Sequence, residues 1–221
     1  MPDLKKATNA TKDNADALTL LTRVTLESGA FHYFGALLEF DDVSSLADEN
    51  YPTSVAIKNT GAYPGKAIIA DPTGTEVNQA YVSYTRGSTI AKYGRQRIIL
   101  DNQRFVGGVG FRQNEQTYDG FSITNTSFTD TSIFLAYVNN VNRIFGEDDP
   151  QVSDTKSGTE LVNVKYSGIE AGDLVFYAYL IDDKNADSQL DTYGLRFSGN
   201  TGAFDYALEY AIQDAELTGG T

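Results

Sequence analysis

Hydrophobic and polar residues alternate with a period of two along most of the chain. Between Ala17 and Ser28, leucine and valine mostly occupy one set of alternate positions, while threonine, arginine and glutamate mostly occupy the other. Residues 204–213 repeat this pattern, with phenylalanine, tyrosine, leucine and isoleucine on one face. A period of two is typical of β-strands whose two faces meet different surroundings. The pattern predicts an all-β chain with about ten strands.

The predicted connections alternate between short turns and long polar stretches. The stretches that we expect to be long include 43–75, 143–157 and 183–189. A membrane β-barrel has short turns at one rim and longer loops at the other, whereas a β-sandwich places long loops at both ends. The alternation therefore predicts an antiparallel, up-and-down transmembrane β-barrel.

The alternating pattern also predicts the limits of the barrel domain. We expect the barrel to occupy residues 17–215, after a polar N-terminal segment (1–16) and before a C-terminal tail (216–221). The N-terminal segment lacks the apolar core of a secretory signal. The sequence also contains no apolar run of about 18 residues, the length that a transmembrane helix needs.

The polar face of the predicted strands carries many charged side chains, among them Arg23, Glu27, Glu39, Asp41 and Arg95. In a soluble barrel the apolar face points inward, whereas in an outer-membrane barrel it faces lipid and the polar face lines water. The period alone fits both orientations. The number of charged residues on the polar faces favours the membrane orientation.

Composition and charge exclude several classes of function. The formal net charge of −13 argues against non-specific binding to nucleic acid or anionic lipid. The absence of cysteine excludes disulfides, thiolate metal sites and cysteine nucleophiles. His32 is the single histidine, so a metal site with several histidines cannot form and a histidine-dependent triad has one candidate. We therefore do not expect an enzyme.

The stretch GRQRIILDNQRFVGGVGFRQNEQTYD, residues 94–119, concentrates positive charge in this acidic chain. It contains Arg95, Arg97, Arg104 and Arg112 around a glycine-rich centre. Arg95 and Arg97 are two residues apart and therefore share a strand face. We expect the glycine-rich centre to fold towards the inside of the barrel.

Several stretches of the sequence, in this order, closely resemble the alginate-export family of Gram-negative outer-membrane β-barrels. They are ALLEFDDV, TEVNQAYVSY, the block at 94–119 and AYVNNVNRIFGED, and the resemblance runs from about Ala17 to Tyr210. The resemblance implies a porin-like channel with a polar lumen in the bacterial outer membrane. In the best-known members, the channel passes an anionic polysaccharide and is lined by basic residues.

The resemblance implies a lumenal role for the four arginines of the 94–119 block. Asp101 and Glu115 belong to the same block, and Arg23 and Glu39 lie on the predicted polar face. The candidates for lining the lumen and setting its selectivity are therefore Arg95, Arg97, Arg104, Arg112, Asp101, Glu115, Arg23 and Glu39. Guanidinium groups suit carboxylate recognition because they stay charged and bind in a bidentate manner. Alternatively, these arginines pair with nearby carboxylates as a structural ladder, which can itself set the field that selects solutes.

A second candidate site lies in the stretch DKNADSQLD. Asp183, Asn185, Asp187 and Asp191 offer oxygen ligands at a spacing that resembles a calcium-binding loop. The stretch departs from the EF-hand pattern, because serine and glycine stand where that pattern requires glycine and glutamate. The alternative is a solvated turn in an extracellular loop. Calcium is the only cofactor that the sequence suggests.

Other readings of the chain remain open from sequence alone. Family members are longer, so the chain resembles a piece of a barrel cut at both ends. Because unpaired strand edges are not tolerated in lipid, such a piece is expected to form homo-oligomers. The alternative to a channel is a soluble or self-associating β-barrel or carbohydrate-binding module. For a channel, the expected partners are outer-membrane lipid and small, anionic or saccharide solutes.

Tyrosines such as Tyr137, Tyr177 and Tyr179 are candidates for interfacial girdles.

Overall fold

The computed structural model describes residues 2–9, 12–47, 51–53, 65–147 and 153–217. They form eleven strands: β1 (Pro2–Asn9), β2 (Lys12–Glu27), β3 (Phe34–Ser45), β4 (Gly74–Arg86), β5 (Thr89–Gln96), β6 (Thr117–Asn125), β7 (Thr131–Asn142), β8 (Asp154–Ile169), β9 (Gly172–Asp183), β10 (Ser188–Thr201) and β11 (Phe204–Leu217). Within these ranges, no helix has the length and apolar character needed to cross a membrane. The predicted all-β class is confirmed, and the ten expected strands correspond to β2–β11.

All eleven strands belong to one sheet, in which each strand pairs with its neighbours in the sequence. Every pairing from β1–β2 to β10–β11 is antiparallel. The chain therefore runs up and down without a crossover, as the alternating pattern predicted.

The N-terminal residues correct the predicted limits of the sheet. The segment expected to lie outside it (1–16) forms β1 and the first five residues of β2, and the pairing runs from Pro2 opposite Leu20 to Asn9 opposite Lys12. Strand pairing uses backbone groups, so a polar strand can join a sheet without an alternating apolar signal. At the other end, β11 extends to Leu217, and residues 218–221 of the expected tail lie outside the described residues.

Short and long connections lie at opposite ends of the strands. The short end has the connections 28–33, 87–88, 126–130, 170–171 and 202–203. The long end has the connections 46–73, 97–116 and 143–153. The stretch 183–189 was expected to be long, but only residues 184–187 lie outside the strands. The reason is that Ser188 and Gln189 pair with Asp183 and Asp182 and so extend the hairpin.

The two faces of the sheet have inverted burial relative to a soluble protein. Leu26 and Leu208 on one face are 59% and 71% exposed, whereas Glu39 and Asp41 on the other are 4% and 2% exposed. A soluble protein of this size normally buries its large aliphatic residues and exposes its carboxylates. We call the exposed apolar face the outer face and the buried polar face the inner face.

Residues 97–116, which we call the inner segment, join β5 to β6 and pack against the inner face. Ile98 and Val106 of this segment belong to one buried cluster with Leu161, Tyr177 and Tyr179 from β8 and β9. The expected inward folding of the glycine-rich centre is thereby confirmed. Full burial of each large apolar side chain contributes about 1.5–3 kcal/mol, so this cluster holds the inner segment against the sheet.

Candidate functional site

Five charged side chains form an ion-pair cluster between the inner face and the inner segment. Arg23 donates two hydrogen bonds to Asp41, at 2.7 Å from Nε and 2.6 Å from Nη2. Its Nη2 also lies 2.6 Å from Oε1 of Glu115. Arg97 Nη2 lies 2.5 Å from Oε1 of Glu39, and Arg97 Nε donates to Glu115. The Glu115 carboxylate therefore binds both arginines and connects β2 to the inner segment.

The strand register explains most of this cluster. Arg23 lies directly opposite Asp41, and Thr25 lies directly opposite Glu39, in the pairing of β2 with β3. Thr25 Oγ1 donates to Glu39 at 2.8 Å, and Asn78 Nδ2 donates to the same carboxylate at 2.9 Å. Because direct cross-strand partners on one face lie about 5 Å apart, the alternating pattern is sufficient to bring these groups together.

The ion pairs also determine the protonation of Glu115. Burial alone would raise the pKa of Glu115, but the hydrogen bonds from Arg97 and Arg23 outweigh it and lower the pKa below its usual value. Glu115 lies outside the strands, in the inner segment. It is ionised at neutral pH, so two guanidinium groups meet three carboxylates and the cluster carries a formal charge of −1.

Arg95 forms a second ion-pair group at the long end of β5. Its Nε donates to Asp119 at 3.0 Å, and its Nη1 donates to Glu147 at 2.7 Å and to the carbonyl of Val77 at 2.8 Å. Asp119 lies directly opposite Arg95 in the pairing of β5 with β6. Asn142 on β7 donates a further hydrogen bond to Asp119 at 3.0 Å. One guanidinium therefore meets two carboxylates.

Arg112 and Asp71 join the inner segment to the β3–β4 connection. Arg112 Nη1 lies 3.1 Å from Oδ2 of Asp71, and the backbone N–H of Gln113 donates to Oδ1 of Asp71 at 2.9 Å. The carboxylate of Asp71 is almost completely buried. Breaking a buried pair leaves an uncompensated charge, so this contact is a strong attachment for the far end of the inner segment.

Arg104 has a more open environment than the other predicted arginines. Its nearest carboxylate is Glu209 on β11, at 3.7 Å from Arg104 Nη1. Glu209 is also bound by Arg196 at 3.4 Å and by the hydroxyl of Tyr177 at 2.8 Å. The Arg104 guanidinium lies over the ring of Phe105, 5.3 Å from its centroid.

Asp101 lies at the turn that precedes Arg104. Its Oδ2 accepts hydrogen bonds from Asn163 at 2.8 Å and from Tyr179 at 3.0 Å. Its φ of 50° lies in the left-handed region, which aspartate tolerates better than most residues. Asp101 therefore connects the inner segment to β8 and β9 through neutral donors rather than through an arginine.

Tyr177 and Tyr179 occupy the inner core rather than the membrane interface. Their rings stack at 4.8 Å, and both are fully buried beneath the inner segment. The expectation that these two tyrosines belong to an interfacial girdle is therefore wrong. Phe176 is exposed on the outer face, so the two tyrosines, one and three residues further on, point inward. This alternation along the strand is visible in the sequence and could have placed both tyrosines on the inner face.

Glycine at position 194 makes room for one of these rings. A Cβ at Gly194 would lie 2.1 Å from Cζ of Tyr177. Tyr177 on β9 therefore crosses β10 at this point and reaches Glu209 on β11. Sequence reasoning missed both Glu209 and Asp71 as site residues, because neither falls inside the arginine-rich block.

A cavity of about 560 Å³ lies beneath the start of the inner segment. Residues 97–102 form one side of it, and strands β6 to β10 form the other. Its polar lining includes Asp101, Asn163, Lys165 and Arg196. The cavity can therefore hold water and polar solutes on the inner face.

The residues suggested for calcium binding serve the β9–β10 turn. Oδ1 of Asp183 accepts hydrogen bonds from the backbone N–H groups of Asn185 and Ala186, at 3.0 and 2.9 Å. Asn185 donates to the carbonyl of Asp154 at 2.9 Å. In the described part of the chain, no three acidic, histidine or cysteine side chains group closely enough to hold a metal ion, and this includes Asp187 and Asp191. The structure therefore does not bring the suggested calcium ligands together.

Comparison with solved structures gives the same fold. The chain is similar to OccK8 (OprE) from Pseudomonas aeruginosa, with 13% identity and a TM-score of 0.64, covering 94% of this chain and 51% of that one. OccAB1 from Acinetobacter baumannii matches with 14% identity and a TM-score of 0.64, covering 96% of this chain and 49% of that one. The chain thus spans about half the length of these structures. No curated protein matches the sequence.

A family model adds the assignment that structural similarity alone does not give. The alginate export model matches residues 6–219. This match confirms the predicted family and the predicted location in the bacterial outer membrane. Together, the match over nearly the whole sequence and the up-and-down porin fold show that this chain belongs to the alginate export family of the bacterial outer membrane.

Proposed function

We propose that the chain forms the wall of an outer-membrane channel through which small or anionic solutes, including saccharides, diffuse passively. The observation that carries this proposal is the inverted burial of the sheet, with apolar side chains exposed on the outer face and ionised side chains on the inner face. Such a sheet is stable where lipid covers the outer face and water reaches the inner face.

The alternative of a soluble carbohydrate-binding module fits the burial pattern poorly. A soluble barrel would place Leu26 and Leu208 inside and the ion pairs of Arg23 and Arg97 outside. Exposing large apolar side chains along several neighbouring strands to water would create a patch that favours aggregation.

The inner face offers polar contacts that suit hydroxylated and charged solutes. Guanidinium, carboxylate and amide groups alternate around the inner segment, as in the contacts of Arg95 with Asp119 and of Asp101 with Asn163. Paired opposite charges create a transverse field that orients polar solutes without binding them tightly. The extension to saccharides rests on this polar lining and on the family.

Planar-bilayer recording tests the proposal directly. The purified protein, reconstituted without other proteins, is expected to give discrete conductance steps. Liposomes that contain it are expected to swell in a neutral disaccharide and in a short uronate oligosaccharide. A monodisperse protein that stays soluble without detergent and gives no conductance would contradict the proposal.

The edges of the sheet bear on how the barrel closes. Backbone groups at the free side of β1 and of β11 must be paired in lipid, either by further strands of one barrel or by a second copy of the chain. We propose that this chain self-associates through these edges. Light scattering in detergent distinguishes a monomer from an oligomer.

A further inference from the structure

The charges around the inner segment are distributed unequally. Arg23, Arg95, Arg97 and Arg112 each bind at least one carboxylate at 3.1 Å or less. Arg23 and Arg97 share one cluster and Arg95 forms a second group, and in each of them the carboxylates outnumber the guanidiniums by one. The pair of Arg112 with Asp71 is balanced. These four arginines are therefore electrically compensated by the protein itself.

Arg104 differs in both exposure and pairing. Its side chain is 64% exposed, whereas those of the other four are between 20% and 30% exposed. Among the residues that the structure describes, the carboxylate nearest to it is that of Glu209, which lies 3.7 Å away and is shared with Arg196. Two guanidiniums thus meet one carboxylate, which gives this group a formal charge of +1.

The local structure holds the Arg104 side chain in place. The preceding turn is closed by a 2.9 Å hydrogen bond from the N–H of Gln103 to the carbonyl of Leu100. The backbone N–H of Arg104 donates to the side chain of Asn102 at 3.2 Å. Its guanidinium packs over the ring of Phe105. A stacked guanidinium keeps its N–H edges available for a planar anion.

Arg104 also lines an open cavity of the inner segment. The cavity measures about 650 Å³, and its lining includes Gln103, Phe111 and Gln116. Two lysines of the inner face contact other side chains: Lys92 lies 4.5 Å from the centroid of the Tyr81 ring, and Lys165 pairs with Asp173 at 3.5 Å. Of these five arginines, Arg104 therefore has the charge that is most accessible to a solute on the inner face.

We propose that Arg104 is the specificity-determining residue that contacts permeating anions, whereas Arg23, Arg95, Arg97 and Arg112 hold the inner segment against the sheet. The proposal rests on the proposed channel function. It assigns the four compensated arginines to holding the inner segment in place rather than to selecting solutes. A permeating carboxylate or chloride meets the N–H edge of Arg104 above the Phe105 ring.

The test measures reversal potentials in a potassium chloride gradient for the reconstituted protein and for Arg104→Gln. We expect Arg104→Gln to lower the anion-to-cation permeability ratio about two- to fourfold, the effect of one unit charge at about 5 Å in water. Arg104→Lys, which keeps the charge, is expected to retain most of the ratio.

Arg143→Gln is the matched control. Arg143 is also exposed and also lies over an aromatic ring, that of Phe145, but it belongs to the β7–β8 connection. Both variants are measured at about 0.1 M salt, where the screening length is about 10 Å and the charge of Arg104 is only partly screened, and Arg143→Gln is expected to change the ratio less than Arg104→Gln. Normal conductance with an unchanged ratio in Arg104→Gln would overturn this inference and leave the channel function standing. Absence of conductance in the unmodified protein would overturn both.

Discussion

Arg23 on β2 lies 2.6 Å from Glu115, which is two residues before the start of β6. This contact joins strands at different positions in the sheet through the inner segment. It does not arise from neighbouring strand pairing, because the strands next to β2 in the sheet are β1 and β3. The inner segment is therefore held by ionic contacts where its two ends meet, at Arg97 and Glu115, and by the Tyr177–Tyr179 core between those ends.

Substituting Glu115 tests the ionic attachment. Glu115→Gln removes the carboxylate shared by Arg23 and Arg97, so we expect the free energy of unfolding to fall by about 2–3 kcal/mol. Chemical unfolding of the detergent-solubilised protein measures this change. Glu170→Gln, in the exposed β8–β9 turn, is the control and is expected to change stability by less than about 0.5 kcal/mol. Equal losses for both variants would contradict a special role for Glu115.

The same carboxylate predicts a dependence of stability on pH. Because the pKa of Glu115 is lower in the folded protein than in the unfolded chain, its stabilising contribution is complete above the unfolded pKa of about 4.3. The contribution is lost as the pH falls through the lower, folded value. Unfolding measured between about pH 3 and pH 7 should therefore show a smaller acid-induced loss for Glu115→Gln than for the unmodified protein. Parallel pH profiles for the two proteins would rule out Glu115 as a contributor.

The aromatic attachment of the inner segment gives a separate prediction. Phe105 lies 5.6 Å from the Tyr177 ring and 6.2 Å from the Tyr179 ring, measured between centroids. Phe105→Ala is expected to destabilise the protein by about 2 kcal/mol and to increase current noise, because the segment loses its packing. Phe111→Ala removes a ring that is 75% exposed, and we expect a smaller loss of stability. Stability and single-channel noise are both measured, and a larger effect for Phe111→Ala would contradict this packing model.

The orientation of the sheet can be tested with one charge placed on either face of β11. Leu208→Asp puts a carboxylate on the outer face and is expected to reduce folding into lipid vesicles, at a cost of about 2 kcal/mol. Ala207→Asp places the same charge one residue earlier, on the inner face, where we expect a smaller effect. The folded fraction is measured by the shift in gel mobility between unheated and heated samples. Equal effects at the two positions would contradict the assignment of the faces.

Much of the fold and part of the site could be predicted from sequence because they depend on the alternation of side chains between the two faces of a strand. Strand residues two apart share a face, so the polar row containing Arg23 and Glu39 and the apolar row containing Leu26 and Leu208 are both visible in the sequence. Antiparallel neighbours then bring Arg23 opposite Asp41 and Arg95 opposite Asp119. The strand at Pro2–Asn9 was missed because backbone pairing needs no apolar alternation.

The sequence by itself determined the two-faced strands, their up-and-down order and the concentration of arginine in one block, because these follow from short-range spacing. Only the tertiary structure decided which arginines are compensated. Glu115, Asp71 and Glu209 reach their partners through the inward folding of residues 97–116, across sequence separations that no periodic pattern encodes. The same folding leaves the Arg104 side chain exposed, and its nearest described carboxylate, that of Glu209, also binds Arg196 and Tyr177.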